Sequence, residues 1–577
     1  MTAATTPTHA QTTVSEREMA AALGALTGPG QPLSPAELAA LDRAEAFPAA
    51  ACRALDALGL PGYYVPVEHG GLLHDFHAFS QVLRAVARRD LTVALAHAKT
   101  YLGAIATWIA GTSGQAANLG ERVVSGAVVS CALTERHHGS DLLAGEVTAE
   151  RDGDAWRLDG EKWLINNATR AHLVTVLART SPEGGPRGFS LFLVDKERLA
   201  PETFTCAPKV HTYGVRGMEI SGIAFHGARV PADALIGCPG QGIEIILKAL
   251  HLTRTACAGL SLGGADRALE LAARFAVSTP YDGRAVAEVP CVRHSVGEAA
   301  AGLLLAEAAG IVAARSVQAL TGEMSVVSAI AKAYVPSQVD EAISLLARAL
   351  GPYGLLAGGH EHGAFAKLER DHRIIGIFDG SSLVNRSALI DQFPRLARTY
   401  RKRRWDQAGL AEATTVSASA RPLDPAALNL LSRGGSAVVA SLPKAVAKVR
   451  DLAARGKASS ELAALAVRLG RATDALHQDL AAHTPSPRAV PSAAFALAER
   501  YELCFAAASA LHLWLRNAPR TGPATDDVRL RASLVKALAT WGEPVGPSEA
   551  EIYGRLGDTV LACPPDARLS LLNYVEA

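Results

Sequence analysis

The chain has 577 residues, more than one small core needs, and about 100–200 residues per domain predicts three or four units. Lys plus Arg number 57 and Asp plus Glu 56, a net charge of +1, so no global field draws nucleic acid or an anionic membrane and any anionic ligand must be met locally. The eight cysteines lack a Cys-x-x-Cys pair, which argues against a disulfide framework or cysteine zinc site and fits a reducing cytoplasm.

Residues 1–14 are polar, without the basic and apolar regions of a secretion signal, and are expected to be disordered. No later stretch runs about 18 apolar residues unbroken, so no membrane span is expected. From 15 to 125, LAALDRAEAFPAAACRALDALGL and HAFSQVLRAVARRDLTVALAHA repeat apolar residues every three or four positions, which predicts packed helices. From 126 to 236 the texture becomes β-branched and alternating, with Gly-Asp and Glu-Gly-Gly turns, as in an antiparallel sheet or small barrel. Helical periodicity returns over 237–400. A linker is predicted over 401–424, and a separate Ala/Leu helical extension over 425–577, broken at HTPSPRAVP, APRTGPATDD and GEPVGPS.

Three segments carry chemistry. Leu133-Thr134-Glu135 through Gly139-Ser140-Asp141 puts hydroxyls and small residues at a strand end, able to meet a ring carbonyl or phosphate, and equally able to form a capped turn. Lys162-Trp163-Leu164-Ile165-Asn166 ends a hairpin strand, where a Trp and an amide suit a flat heterocycle or simply the core. Phe378-Asp379-Gly380-Ser381-Ser382 ends an apolar run, a setting in which a carboxyl serves as a general base; alternatively Asp379 caps a helix starting near Leu383.

Other candidates are weaker. His74/His77, His137/His138 and His360/His362 lack the helical spacing of a zinc site, and no metal is expected. Gly259-Leu-Ser-Leu-Gly263-Gly264 has no preceding strand, so it reads as close helix packing rather than a dinucleotide loop. Arg401-Lys402-Arg403-Arg404 reads as a charged helix end, because no basic face extends beyond it.

In order and spacing these segments resemble the acyl-CoA dehydrogenase superfamily, from about Leu60 to Arg395. The resemblance includes Gly62-Tyr63-Tyr64-Val65-Pro66-Val67-Glu68-His69-Gly70-Gly71, Thr134-Glu135 with Gly139-Ser140-Asp141, and Gly214-Val215-Arg216-Gly217. It continues through Thr253-Arg254, ahead of a long helix, to Arg370-Asp371 and Arg386. It implies an α+β, mostly α fold: an N-terminal helical domain, a middle β domain and a four-helix domain, here with an extra helical extension. It implies FAD, a CoA or carrier-protein acyl thioester, α-proton removal by Asp379 with Arg254 close by, and transfer of the β-hydride to flavin. It places Leu133, Thr134, Ser140, Leu164, Asn166 and Ser381 near the cofactor. Thr253 stands where one branch carries its base, leaving Asp379 as the carboxylate at either base position.

The chain departs from the pattern at several points. Aspartate is one methylene shorter than the family's glutamate, and an error of about 1 Å can cost on the order of a hundredfold in rate. Trp163 is displaced by one, leaving Leu164 in the matching place, and Asn166 stands where Thr is usual. The family's Arg-x-x-Phe-Gly reads Thr279-Pro280-Tyr281-Asp282-Gly283, and its Gln-x-x-Gly-Gly-x-Gly reads Arg348-Ala349-Leu350-Gly351-Pro352-Tyr353-Gly354. Arg348 or Arg284 can replace the lost charge. Such departures suit a specialised pathway; an oxidase or monooxygenase is the alternative, and a non-catalytic or DNA-binding relative is the second class. An electron-transfer flavoprotein or O₂ is the implied acceptor. The extension is placed like that of very-long-chain members, which predicts a homodimer.

Overall fold

The computed structural model describes residues 16–484, 489–517, 527–564 and 567–572. The expected disordered tail over 1–14 and parts of the breaks near 485–488 and 518–526 lie outside these residues.

Six helices form the N-terminal unit: α1 (Glu16–Ala25), α2 (Pro35–Ala44), α3 (Ala49–Ala57), α4 (Phe76–Arg89), α5 (Leu91–Ala110) and α6 (Ser113–Val124). Their starts are written in short polar side chains. Ser34, Asp75, Asp90 and Thr112 each accept a hydrogen bond from a first-turn amide, filling donors that a helix end leaves unpaired.

Strands β1 (Val129–Ala132), β2 (Thr148–Asp152), β3 (Ala155–Asn166), β4 (Leu173–Arg179), β5 (Phe189–Asp195), β6 (Phe204–Cys206), β7 (Ile220–Pro231) and β8 (Leu235–Ile236) make one sheet. Its order is 6-7-3-2-4-5-8, with β1 beside β4. The sheet is mixed rather than purely antiparallel, because β1 and β2 run parallel to β4. Alternation fixes its buried face: Ala149, Trp156, Leu158, Val174, Val176, Phe192 and Phe225 share one core. Near the end of β3, Trp163 pairs with Gly222 and Ile165 with Ser221, leaving Leu164 extruded as a bulge at φ 60°.

The next unit is built on α7 (Gly242–Ser278), the hairpin β9 (Pro280–Tyr281) and β10 (Arg284–Ala285), α8 (Pro290–Ala319), α9 (Met324–Leu350), α10 (Ala364–His372), α11 (Ser382–Ile390) and α12 (Phe393–Lys402). Thr253 and Arg254, expected ahead of the long helix, lie inside it, because the apolar period begins at Ile243. Asp282 and Gly283 both take positive φ, the twist a two-residue hairpin needs. By length and composition α7 and α8 could each cross a membrane, yet 89% and 94% of their apolar windows are buried inside the fold. Gly259 and Gly263 sit where α7 crosses α4: a Cβ there would meet the Ser80 and Arg84 carbonyl oxygens at 2.5 and 2.4 Å. The glycine run is therefore a packing device.

The segment expected as a linker over 401–424 contains α13 (Gln407–Thr414), started by Asp406, whose carboxylate accepts from the Gly409 amide. Arg401 and Lys402 close α12, and Arg403 follows in the left-handed region, 3.6 Å from Asp474. Beyond lie α14 (Ala437–Ala440), α15 (Leu442–Ala454), α16 (Ser460–Ala482), α17 (Ser492–Asn517), α18 (Val528–Trp541) and α19 (Pro547–Leu561). α8 packs on α7 and α9 and also on α13, α17, α18 and α19. Every residue from Ala299 to Ala319 is consequently buried. The extension is part of the same packed body.

Candidate active site

The turn between α10 and α11 presents Asp379. Its backbone is left-handed at φ 56° and the next residue, Gly380, at φ 92°. Aspartate tolerates that region better than most side chains, and it persists where neighbours over-determine it. Four bonds do so here. The Arg254 guanidinium donates from Nε to the Asp379 carbonyl at 2.9 Å. The Lys332 ammonium donates to the carbonyls of Ile375 and Gly380 at 2.5 and 3.2 Å, and the Asn385 amide donates to that of Gly380 at 2.9 Å. Gly380 is needed because a Cβ would approach Arg254 Nη2 to 3.1 Å.

Asp379 is not the helix cap. That role belongs to Ser381, whose hydroxyl accepts from the Val384 amide, so the helix starts one residue earlier than expected. The Asp379 carboxylate is thereby left to the pocket, its side chain 7% exposed. Lys99 of α5 lies 3.5 Å from Oδ1 and stacks 3.4 Å from the centre of the Phe378 ring. Cys257 Sγ lies 3.8 Å from Oδ2, and burial, aided by Asp379, pushes its thiol up to about 12. Burial pulls Arg254 and Lys332 below their ordinary values, opposed by attraction to Asp379. Lys99, Lys332 and Cys257 escaped the motif reading. The available signal was a lone Lys in each of two apolar helical runs.

On the β domain, Thr134 and Trp163 are tied reciprocally: the Trp163 amide donates to the Thr134 carbonyl and the Thr134 hydroxyl to the Trp163 carbonyl, at 3.0 and 2.8 Å. A buried pair sets this loop. Lys162 donates to Glu135 at 2.7 Å and to the Leu133 carbonyl at 3.0 Å. Burial alone would raise Glu135, but the Lys162 charge and the amides of Glu146 and Val147 hold it below the usual range. Burial lowers Lys162. Ser140 follows on the exposed side of the loop. Glu135, His138 and Glu146 cluster, but Glu135 is already committed to Lys162 and two amides.

The strand end is where a ring would fit. Leu164 is 48% exposed, while both polar atoms of the Asn166 side chain are buried with no partner among the described residues. A buried amide needs hydrogen bonds, and a flat heterocycle offering both donor and acceptor edges supplies them. These residues fit a flavin. Arg348 and Arg284 are exposed, the first on the last turn of α9 and the second in the hairpin, with Gly351 capping α9 at φ 55°. The structure thus joins Asp379 to Arg254 directly, ties Leu133 to Lys162 and Thr134 to Trp163, and leaves Ser140 and Arg348 facing outward.

Asp371 ties the shared motif segments together: its carboxylate accepts from the Val215 amide at 2.6 Å, Thr92 at 2.8 Å and Lys367 at 2.7 Å. Arg370 pairs with Asp42 at 2.6 Å.

Comparison with known proteins agrees with this arrangement. Residues 33–127, 130–228 and 240–393 match the models of the acyl-CoA dehydrogenase N-terminal, middle and C-terminal domains. A probable acyl-CoA dehydrogenase of Mycobacterium leprae is 31% identical over 350 residues, covering 60% of this chain and 87% of that one. The human mitochondrial short-chain specific acyl-CoA dehydrogenase is 28% identical over 369 residues, covering 63% and 86%. A Bacillus anthracis acyl-CoA dehydrogenase, solved in complex with FAD, superposes with a TM-score of 0.67 at 20% identity over 95% of this chain and 88% of that one, so the likeness in fold reaches the extension. The chain belongs to the acyl-CoA dehydrogenase family.

Proposed function

We propose that this protein is an FAD-dependent oxidoreductase that desaturates an acyl thioester, with Asp379 taking the α-proton. The observation behind this reading is a nearly buried carboxylate, in a turn fixed by four hydrogen bonds, at the position where the family carries its base. FAD supplies the two-electron acceptor. The chain's own residues do the rest. Arg254 and Lys332 hold the turn so that the carboxylate keeps its aim, a preorganisation that counts directly in rate. Leu164 and the Asn166 amide offer the ring a surface and hydrogen bonds, while Thr134, Ser140 and Ser381 lie along its path; Arg348 or Arg284, with Gly351, offers charge and space to a phosphate. Phe378 and Leu83 keep water from the carboxylate.

The thioester is carried on CoA or a carrier protein, in a specialised pathway, with an electron-transfer flavoprotein or O₂ as final acceptor. Val277, Tyr281, Tyr353 and Leu355 are exposed near the end of α7, which suits a homodimer contact. The eight free cysteines suit a cytoplasmic setting. Anaerobic mixing with short acyl thioesters should bleach the flavin band. A yellow protein that no thioester bleaches sinks this reading. Aspartate in place of glutamate favours the oxidase alternative: rapid reoxidation by air with peroxide release would select it, and slow reoxidation selects the dehydrogenase.

A further inference from the structure

The cations that close α12 belong to a longer basic face. Phe393, Leu396, Ala397 and Tyr400 bury one side of the helix, which turns Arg395, Arg398 and Lys402, at spacings of three and four, to the other. Arg398, Arg401, Lys402 and Arg404 are exposed and Arg395 is half-buried. The loop ahead of α14 extends this face. Its Ser432 amide donates to Gln392 at 2.9 Å and its Gly435 lies against Thr399, so the loop runs beside α12 and sets the exposed Arg433 next to the stripe. Arg395, Arg398, Arg401, Lys402, Arg404 and Arg433 form no ion pair among the described residues. Exposed Asp391, one turn before Arg395, forms none either, and the neighbouring Asp474 is taken by Tyr400 at 2.7 Å and Arg403 at 3.6 Å.

The same face lies close to the base. α11, nine residues and so about 13 Å long, carries the chain from the Asp379 turn to α12. On the loop side, the Asn429 backbone faces the His251 ring, and His251 sits one turn of α7 from Arg254, which donates to the Asp379 carbonyl. Leu430 and Leu431 follow, 40% and 43% exposed beside the cations. A strip of unpaired positive charge with an apolar edge therefore flanks the turn that carries the carboxylate.

On a chain whose net charge is only +1, such a local excess selects an anionic partner. The stripe from Arg395 to Lys402 is about 10 Å long. The phosphates of a CoA nucleotide would occupy part of it and leave Leu430 and Leu431 uncovered, and a nucleic-acid backbone offers those leucines nothing. A protein surface that mixes acidic and apolar side chains covers both. We propose that this face docks an acidic carrier domain, whose pantetheine arm brings the acyl thioester to Asp379. This rests on the reading of the protein as a thioester oxidoreductase and, within it, selects the carrier-bound substrate over the CoA-bound one.

The test gives the FAD-loaded protein one acyl group on three supports: butyryl acyl carrier protein, butyryl-CoA and butyryl pantetheine. Binding of the pantetheinylated carrier protein, read by fluorescence anisotropy, should weaken at least about 10-fold between about 50 and 300 mM salt. The double variant Arg398→Glu, Arg433→Glu should lose at least as much, and Lys402→Glu a smaller part. Anaerobic bleaching by butyryl pantetheine should be unchanged in these variants, which also reports that they are folded. Carrier binding indifferent to salt and to charge reversal overturns the proposal. So does a preference for butyryl-CoA, or tighter binding of duplex DNA or phosphatidylglycerol vesicles, that the double variant abolishes. The two readings fail separately. Charge-dependent carrier binding without bleaching by any thioester keeps the docking face and removes the oxidation, whereas bleaching by all three at equal KM removes the docking face and keeps the flavoenzyme.

Discussion

Asp379 holds a conformation that L-residues adopt at a cost of roughly 1–2 kcal/mol, and the cost is borne because four side-chain bonds brace its turn. Asp379→Asn keeps shape and backbone preference but removes the base, so thioester-driven bleaching should slow by on the order of 10³-fold with FAD content unchanged. Stopped-flow absorbance against the unaltered protein checks this; an undiminished rate would take Asp379 out of the mechanism. The residue was legible in the sequence because a Phe-Asp-Gly-Ser-Ser turn lies in register with two other segments. Its cap reading failed because two hydroxyls follow, and Ser381 is the one placed to take the Val384 amide. Lys99 was not legible as a neighbour of Asp379, since the two are brought together only by packing of distant helices.

At the scale of elements, sequence periodicity located the helices and the alternating strands, but not the bulge at Leu164, because extrusion of one residue depends on the register of β7. It also missed α13, a short helix in a polar stretch, for which the Asp406 cap was the signal. Two adjacent glycines of α7 should behave oppositely. Gly263→Ala forces a Cβ to within 2.4 Å of the Arg84 carbonyl oxygen, whereas the nearest atoms for Gly264→Ala are side-chain carbons at 3.4 Å. Urea denaturation should show the first losing about 1–3 kcal/mol and the second unchanged or slightly stabilised by the better helix former. A second pair joins α11 to the extension: Arg386 Nε lies 3.0 Å from Glu502, which is 1% exposed. Burial lifts the Glu502 carboxyl to about 7 even with Arg386 beside it. Arg386→Leu should therefore cost on the order of 2–4 kcal/mol at pH 8 and less at pH 6, where Glu502 can be neutral; equal losses at both values would contradict this.

For the molecule as a whole, the order helix, sheet, helix was legible because each unit has its own period. How closely the extension fuses with the rest was not, because its contacts come from residues hundreds of positions apart. Glu323, at the foot of α9, accepts from the Ala437 amide of α14 at 2.8 Å, and burial raises its carboxyl from 4.5 to about 8. A carboxyl whose value is higher folded than unfolded takes up a proton on folding, so its contribution is fully present below about 4.5 and is lost as pH rises through about 8. Glu323→Gln keeps an acceptor for the amide without the charge. Thermal denaturation should show the variant more stable at pH 8 by on the order of 2–4 kcal/mol, with the gap closing toward pH 5.

The burial of α8 on every side from Ala299 to Ala319 has a consequence for descent. A helix with one wet face can drift there freely; this one is enclosed along that stretch, so a substitution facing the extension needs a matching change in α17, α18 or α19. Relatives that retain those helices should, like this chain, carry only isolated, internally paired polar residues in α8, and relatives without them should carry a continuous polar stripe along it. The presence of the extension would then be readable from α8 alone.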